Sequence, residues 1–392
     1  MKQAALRYHE KKPAGKIGMQ ITKPCTTQHD LALAYTPGVA EPVKAIVRNP
    51  ALAYRYTNKA NLVAVISNGT AVLGLGNTGA LASKPVMEGK CVLFKKFAGI
   101  DAIDLEINER DPKKFINIVA SLADSFGGIN LEDIAAPACF EIEQALKKRC
   151  SIPVFHDDQH GTAIVSGAAL LNALALIKKD IKKIRVVFSG AGAAGTACKN
   201  FYIQLGVKPQ NIKVVNKQTI SKLAGYLIGA DVFVGLSVAN IVTSAMLKSM
   251  AANPIVFALA NPDPEISYEL AKQSRPDIIL ATGRSDRPNQ INNVLGFPFI
   301  FRAALDVRAT TITEHMKLAA TYALAKLAHQ PVPKTVLKAY KLKRLSFSKD
   351  YLLPKPFDPR LLVEVSSVVA KAANKSINIK IYRKQLEKLA QV

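Results

Sequence analysis

Short apolar runs alternate with longer stretches of helical periodicity along most of this chain. Runs at 61–67 (NLVAVIS), 91–94 (CVLF), 101–107 (DAIDLEI), 129–131 and 152–155 (IPVF) have the length and composition of strands. Between them, 112–125 and 137–149 repeat apolar positions at helical spacing. A long apolar helix is predicted from Gly161 to about Lys179, centred on ALLNALALI. Strands at 184–189, 212–216, 231–236, 255–260 and 278–282 then alternate with helices at 195–205, 221–229, 243–251 and 265–273. Strands separated by single helices imply a parallel, doubly wound sheet. From about 303 the pattern is mostly helical, interrupted by Pro331, Pro333 and PKPFDP at 354–359. The pattern therefore predicts an α/β protein in two parts. An N-terminal α/β domain covers 1–160, and a Rossmann-like doubly wound parallel sheet with a helical C-terminal tail covers 161–392.

Composition adds bounds. At 392 residues and 49% hydrophobic, the chain has the material for two sizeable cores. The net charge of +24 raises the question of nucleic acid. Residues 178–222 carry ten Lys/Arg against one acid, and residues 331–392 carry fourteen against four. Those two segments hold most of the excess, with no RNP, zinc-finger or basic-zipper pattern, so a solvated lysine-rich surface is the expectation and nucleic acid is not. The opening MKQAALRYHEKK lacks the apolar run of a secretory leader, and no stretch of 18 residues is free of charge and turn signals. Neither leader nor membrane span is expected. Five scattered cysteines without a CxxC pair fit a reducing, cytoplasmic setting.

Two glycine patterns carry chemistry of unequal weight. Gly190-Ala191-Gly192-Ala193-Ala194-Gly195 follows a predicted strand and opens a predicted helix, the context in which such a turn cradles a dinucleotide pyrophosphate. Gly74-Leu75-Gly76-Asn77-Thr78-Gly79 has the same spacing, but Pro85 and Gly89 follow, and no full crossover helix is expected there. It is read as a turn on the substrate side of the site. At the end of the second strand of the doubly wound sheet an NAD enzyme places a carboxylate on the ribose. Here Asn216 and Lys217 occupy that place, which favours NADP over NAD.

Paired carboxylates close two of the first-half strands: Glu132-Asp133 in GINLEDIAAP and Asp157-Asp158 in PVFHDDQHGTAIV. Converging at strand ends they would repel one another unless a divalent cation lay among them, and hard oxygen donors suit Mg²⁺ or Mn²⁺. Two rival readings stand beside this one. His156 and His160 have the i, i+4 spacing of zinc ligands on a helix, although the preceding strand and Gly161 argue against a continuous helix here. Alternatively the acids simply cap a helix that starts near Gly161. Lys90, read as entering a strand from Gly89, is a general-base candidate if burial or a nearby cation lowers its pKa. Tyr35 closes an apolar helical run before Thr36-Pro37-Gly38, a place where the residues alone favour a buried packing tyrosine. Residue types and spacing alone stop at a nucleotide-dependent, metal-assisted α/β enzyme.

Taken together, LALAYTPGVAEP, NLVAVISNGTAVLGLGN, PVMEGK, FGGINLEDI, PVFHDDQHGTAI, GAGAAG, FALANPDPEI, the 282–306 stretch and YLLPKPFDPRL resemble the malic enzymes of the bacterial small-subunit type. The likeness runs from about residue 4 to residue 375. It is closest to the malic portion of bacterial NADP-dependent enzymes that carry a phosphotransacetylase-like C-terminal extension, which a chain ending at Val392 is expected to lack. The resemblance implies oxidative decarboxylation of (S)-malate to pyruvate and CO₂, with NADP or NAD and a divalent metal, in a homodimer or larger homo-oligomer. It places the proton donor on Tyr35 and the proton acceptor on Lys90. It places the metal carboxylates on Glu132, Asp133 and Asp158, with Asp157 beside them, and the amides near substrate and nicotinamide on Asn261 and Asn293. The chain departs from the family pattern where only residues 217–230 separate Asn216 from the next strand, and where Ser237-Val238-Ala239-Asn240 replaces the familiar turn. Those departures leave a second reading open, an impaired relative that binds or regulates.

Overall fold

The computed structural model describes residues 1–390, with backbone alone at Leu73. Its strands form two sheets, both parallel throughout. The first contains β1 (Leu62–Ser67), β2 (Asp101–Glu106), β3 (Gly128–Leu131) and β4 (Val154–His156) in the order β2-β1-β3-β4. The second contains β5 (Val186–Ser189), β6 (Ile212–Val215), β7 (Val232–Gly235), β8 (Ile255–Ala258) and β9 (Ile279–Thr282) in the order β6-β5-β7-β8-β9. In the first sheet β1 sits centrally and every residue of Leu62–Ser67 is buried, as a strand covered on both faces must be. Register places Leu131 beside His156, so the acidic pairs that follow these residues leave the sheet side by side.

The expected strand at 91–94 is absent: those residues lie inside the helix Ala80–Ala98, which contains Pro85. Over four residues CVLF reads as a strand. Over the whole segment the buried positions Met87, Cys91, Phe94 and Ala98 recur at helical spacing, and that longer period wins. The second glycine pattern is thus followed by a full crossover helix after all. The other correction concerns the acidic pair at 157–158. The helix expected from Gly161 begins at Asp157, directly after β4, and runs to Ile177. Both carboxylates therefore occupy a first helical turn, where the exposed N–H groups favour negative charge.

That helix crosses the 160/161 boundary and joins the two halves. It is long and apolar enough to cross a membrane by composition, but two thirds of it is buried inside the protein. One continuous core wraps it, combining Val63 and Val65 of the first sheet with Val186, Phe188 and Val234 of the second and with the C-terminal helices Phe297–Asp306, Glu314–Ala328 and Arg360–Ala373. Separate cores cover the outer face of each sheet. Phe94 stands edge-on to Phe297 and Phe301, with ring centroids 4.8 and 5.2 Å away. Each such fully buried ring contributes about 2–3 kcal/mol of transfer free energy, which fixes the helix that carries Lys90. The helices Lys2–Glu10, Gln28–Ala34 and Ala40–Arg48, by contrast, have no buried residue.

Candidate active site

A cavity of about 590 Å³ lies beyond the carboxyl ends of strands from both sheets. Ala71 and Gly74 reach it from the segment after β1, Glu132 and Asp133 from that after β3, and Asp158 and Thr162 from the helix after β4. The other sheet contributes Gly192, Ala193 and Ala194 after β5, Leu236 and Ser237 after β7, and Asn261 after β8. Open parallel sheets bind ligands at this end.

Three carboxylates converge there. Oxygens of Glu132, Asp133 and Asp158 lie within 4.8 Å of one another. Asp158 Oδ2 accepts a hydrogen bond from the backbone N–H of Asp133 at 2.7 Å, which ties the two loops together. Burial, together with the charges of Asp158, Asp157 and Asp133, raises the Glu132 carboxyl well above its usual range against the opposing pull of Lys90. A hard dication would relieve that repulsion, and an all-oxygen set of this kind fits Mg²⁺ or Mn²⁺. The histidines do not form a zinc site. His156 Nε2 lies 3.1 Å from Asp158 Oδ2, off the hydrogen-bonding line, while His160 Nε2 meets both oxygens of the buried Glu143 at 2.9 and 3.0 Å. Burial opposes a charge on His156, but Asp158 and Cys139 push its pKa up to about 10.

Lys90 is buried, and its ammonium touches Asp157 Oδ2 at 2.6 Å and Glu132 Oε1 at 2.8 Å. It also stands 4.2 Å above the Phe297 ring. The lowered pKa expected for this residue is not found. Burial disfavours its charge, yet the two carboxylates outweigh burial and raise the pKa above the ordinary value. Asp157 is fully buried behind the lysine, and its other oxygen has no hydrogen-bond partner among the described residues. Asn293 Nδ2 donates to Asp157 Oδ2 at 3.1 Å, and Thr162 Oγ1 donates to Asn293 Oδ1 at 3.1 Å, so the amide is oriented from both ends. Gly161 is required beside them, because a Cβ there would fall 2.1 Å from Asp157 Oδ1.

A second cleft of about 560 Å³ is lined by Gly190, Ala191, Gly192, Asn216, Lys217 and Gln218, among others, and shares Gly192, Leu236 and Ser237 with the main cavity. Gly190 has φ +118°, and a Cβ at Gly195 would lie 2.0 Å from Gly190 O, so the turn after β5 needs both glycines. With only residues 217–231 between Asn216 and β7, this cleft is formed. Asn216 lines the cleft but is tied into its own turn: its Oδ1 accepts from the N–H of Gln218 and Thr219 and from Thr219 Oγ1. Lys217 and Gln218 then face the cleft beyond it.

The substrate-side glycines separate. Gly74 lines the cavity and meets the other half of the molecule, since a Cβ there would fall 2.0 Å from Asn261 O. Gly76 and Gly79 adopt φ +77° and +84° and shape the turn, and Asn77 is exposed and does not line the cavity. Tyr35 is not brought to the cavity: it ends the helix Gln28–Ala34 and is 69% exposed. Thr162 and Ala260 line the cavity without having been singled out from sequence, because their only signal is tertiary, and Ser237, noted there only as part of an altered turn, lines it too.

Residues 14–114 match the malic enzyme N-terminal domain, and residues 208–345 match the malic enzyme NAD binding domain. The NADP-dependent malic enzyme of Halomonas elongata is 56% identical over 95% of this chain and 93% of its own length. That of Escherichia coli is also 56% identical over 96% of this chain, but the chain spans only 53% of it. The crystal structure of malic enzyme from Pyrococcus horikoshii superposes with a TM-score of 0.89 at 40% identity, covering 100% of this chain and 96% of that one. With the carboxylate cluster, the buried lysine and the glycine turn in one cavity, these likenesses leave one conclusion: the chain belongs to the malic enzyme family.

Proposed function

We propose that the chain catalyses the oxidative decarboxylation of (S)-malate to pyruvate and CO₂, with NADP as the favoured oxidant and NAD as the alternative. The observation that carries this reading is the juxtaposition of Lys90, the Glu132–Asp133–Asp158 cluster and a dinucleotide cleft around one cavity. Held by those three carboxylates, Mg²⁺ or Mn²⁺ would supply Lewis acidity toward the C2 oxygen of the substrate.

Lys90 takes the proton of the C2 hydroxyl, and a nucleotide held in the adjoining cleft would accept the C2 hydride. To do so it must first release its own proton, and engagement of Glu132 elsewhere removes one of the two anions that keep the ammonium charged. Asp157 and Asn293 keep the amine aimed at the cavity throughout. The resulting keto acid loses CO₂ as its C3–carboxylate bond breaks into a C2–C3 enol. Lys90 returns its proton to the C2 oxygen to complete the enol, then takes it back as Tyr35 protonates C3 and the C2 carbonyl of pyruvate forms. Asn261 orients the nicotinamide end from the loop after β8.

Tyr35 reaches the site from a second copy. Leu31, Leu33, Tyr35, Val39, Val43 and Val47 are all exposed on two helices that lack any buried residue and on the turn between them. Such an uncovered apolar stretch suits a self-complementary interface in a homodimer or larger homo-oligomer. The two-part division at 160/161, with substrate and metal on one side and nucleotide on the other, and a reducing cytoplasmic setting for five unpaired cysteines complete the reading. Its test is malate-dependent formation of reduced nucleotide with Mn²⁺, run in parallel with NADP and NAD. Folded protein that reduces neither nucleotide overturns it.

A further inference from the structure

Glu265 is fully buried at the carboxyl end of the second sheet, and no ion pair joins it to a cation among the described residues. Its two oxygens are spoken for individually. Oε1 accepts from the backbone N–H of Ser237 at 3.1 Å, and Oε2 accepts from that of Ala260 at 3.1 Å. Ser237 follows β7 and Ala260 follows β8, and both line the main cavity. The carboxylate thus bridges the two loops from one hydrogen bond behind the cavity wall. The sequence makes room for it: β7 ends in Gly235, where a Cβ would fall 2.2 Å from Glu265 Cδ. Ser237 Oγ in turn meets Ser189 Oγ at 2.8 Å, which ties the bridge to the strand before the glycine turn.

Two N–H donors, one on each oxygen, are the partners of an ionised carboxylate. Protonation of either oxygen would weaken the bond it accepts, so both donors favour the charged form. Burial raises the carboxyl above its usual range, but the N–H bonds from Ala260 and Ser237 oppose that shift. A negative charge without a counter-ion is costly in a dry site, so a cation brought close to it is stabilised. The cleft that takes the adenosine end and the cavity that holds Lys90 share Gly192, Leu236 and Ser237. A dinucleotide spanning the two must lay its nicotinamide against the wall that Ser237 and Ala260 form. The nicotinamide ring is a cation when oxidised and neutral when reduced.

We infer that Glu265 is a positioning residue that sets the spacing of the Ser237 and Ala260 loops and, through its charge, makes the site prefer the oxidised nucleotide to the reduced one. This rests on the dehydrogenase reading above. It gives the protein a way to bind the substrate form of its cofactor and to let the product form go, using a residue that touches neither malate nor metal.

The experiment measures dissociation constants for NADP⁺ and NADPH by titration calorimetry on the full chain, for wild type and Glu265→Gln. The expected result is an affinity for NADP⁺ reduced about tenfold, with NADPH affected far less, so that the ratio of the two constants changes. Mn²⁺ affinity should stay at the wild-type value. Glu265→Asp keeps the charge and should keep the ratio even if both affinities drop. If Glu265→Gln does not fold, Glu265→Asp and Glu265→Asn differ only in charge and give the same comparison. A ratio that is equal in the charged and neutral variants overturns the inference. A wild type that binds nucleotide and turns over malate while the ratio stays fixed sinks this inference alone, whereas a wild type that binds neither nucleotide sinks the dehydrogenase reading itself.

Discussion

Lys90 and Asp157 form a buried ion pair at 2.6 Å, across 67 residues of sequence, with the carboxylate fully enclosed and the ammonium at the cavity wall. Glu132 makes a second contact to the same nitrogen at 2.8 Å. Lys90→Ala should therefore do two separate things. Malate oxidation should fall by at least about a thousandfold, because the proton acceptor is gone, while nucleotide still binds. The metal-free protein should also lose about 3–5 kcal/mol of stability, because two buried carboxylates are left without their cation. Adding Mn²⁺ should then raise the melting temperature of the variant more than that of the wild type. Paired melts with and without Mn²⁺ check this, and equal shifts would show that Glu132 is not the shared partner.

Asp158 is the one cluster carboxylate that also receives the Asp133 backbone N–H, so it sets the spacing of the metal loops as well as offering an oxygen. Asp158→Ala should weaken Mn²⁺ binding by at least the roughly 10–100-fold that loss of an outer partner already costs. Electron paramagnetic resonance of free Mn²⁺ reads this without turnover. Wild-type affinity in the variant would remove Asp158 from the ligand set.

These relationships were legible in the sequence to different depths. The strand ends were, because an apolar run that stops at Glu132-Asp133 or at Asp157-Asp158 is a local signal. The Gly190–Gly195 turn was legible because its strand and helix flank it in sequence. Lys90 was placed on the wrong element, since the four-residue run CVLF outweighed the period that only Met87 to Ala98 displays. Glu265 gave no sign of its place: its bridge joins the ends of two strands that β-sheet topology brings together, and the only local trace is a glycine ending β7 at Gly235. Asn216 was assigned to the ribose by position, but which way an amide turns depends on Thr219 three residues on. Tyr35 could be noted from its place before a turn but took a role only through resemblance, because what covers an exposed tyrosine is not a property of one chain.

The second cleft makes a prediction about cofactor choice. Asp in place of Asn216 can still accept the Gln218 and Thr219 N–H bonds through one oxygen, so the turn survives. The change adds a negative charge next to Lys217 where a 2′-phosphate would sit. Asn216→Asp should shift kcat/KM from NADP toward NAD by about tenfold or more. An unchanged ratio would put the ribose end of the nucleotide elsewhere.

The edge strand of the first sheet carries a pH-dependent pair outside the active site. Lys84 Nζ lies 2.6 Å from Asp104 Oδ2 but 3.4 Å from Glu106 Oε2, so Asp104 takes most of the cation. Burial, and then the neighbouring Asp104, push the Glu106 carboxyl up to about 7. An acid whose folded pKa is raised holds its proton in the folded state after the unfolded chain has released it. Stability is thus unaffected below the ordinary value of 4.5, falls as pH rises toward about 7, and carries the full penalty above that. Glu106→Gln should melt like the wild type near about pH 4.5 and above it by a margin that widens toward about pH 8. Melts at several pH values check this, and a constant margin would mean that Glu106 does not titrate in that window.

The exposed Tyr35 and the buried Lys90 allow a decisive test of where the proton donor comes from. Tyr35→Phe and Lys90→Ala should each be inactive alone. If Tyr35 acts within its own chain, no mixture of the two can contain a complete site. If it crosses to a second copy, a mixed dimer pairs the intact Tyr35 of one chain with the intact Lys90 of the other, and one of its two sites is whole. Random exchange of equal amounts makes half the dimers mixed, so activity should recover to about a quarter of the wild-type level. Unfolding and refolding the two variants together, with each refolded alone as a control, provides the measurement. Recovery in the mixture and not in the controls requires a site built from two chains, with residues 31–47 at the contact, and its failure with well-folded mixed dimers overturns the crossing and leaves Tyr35 to act within its own chain.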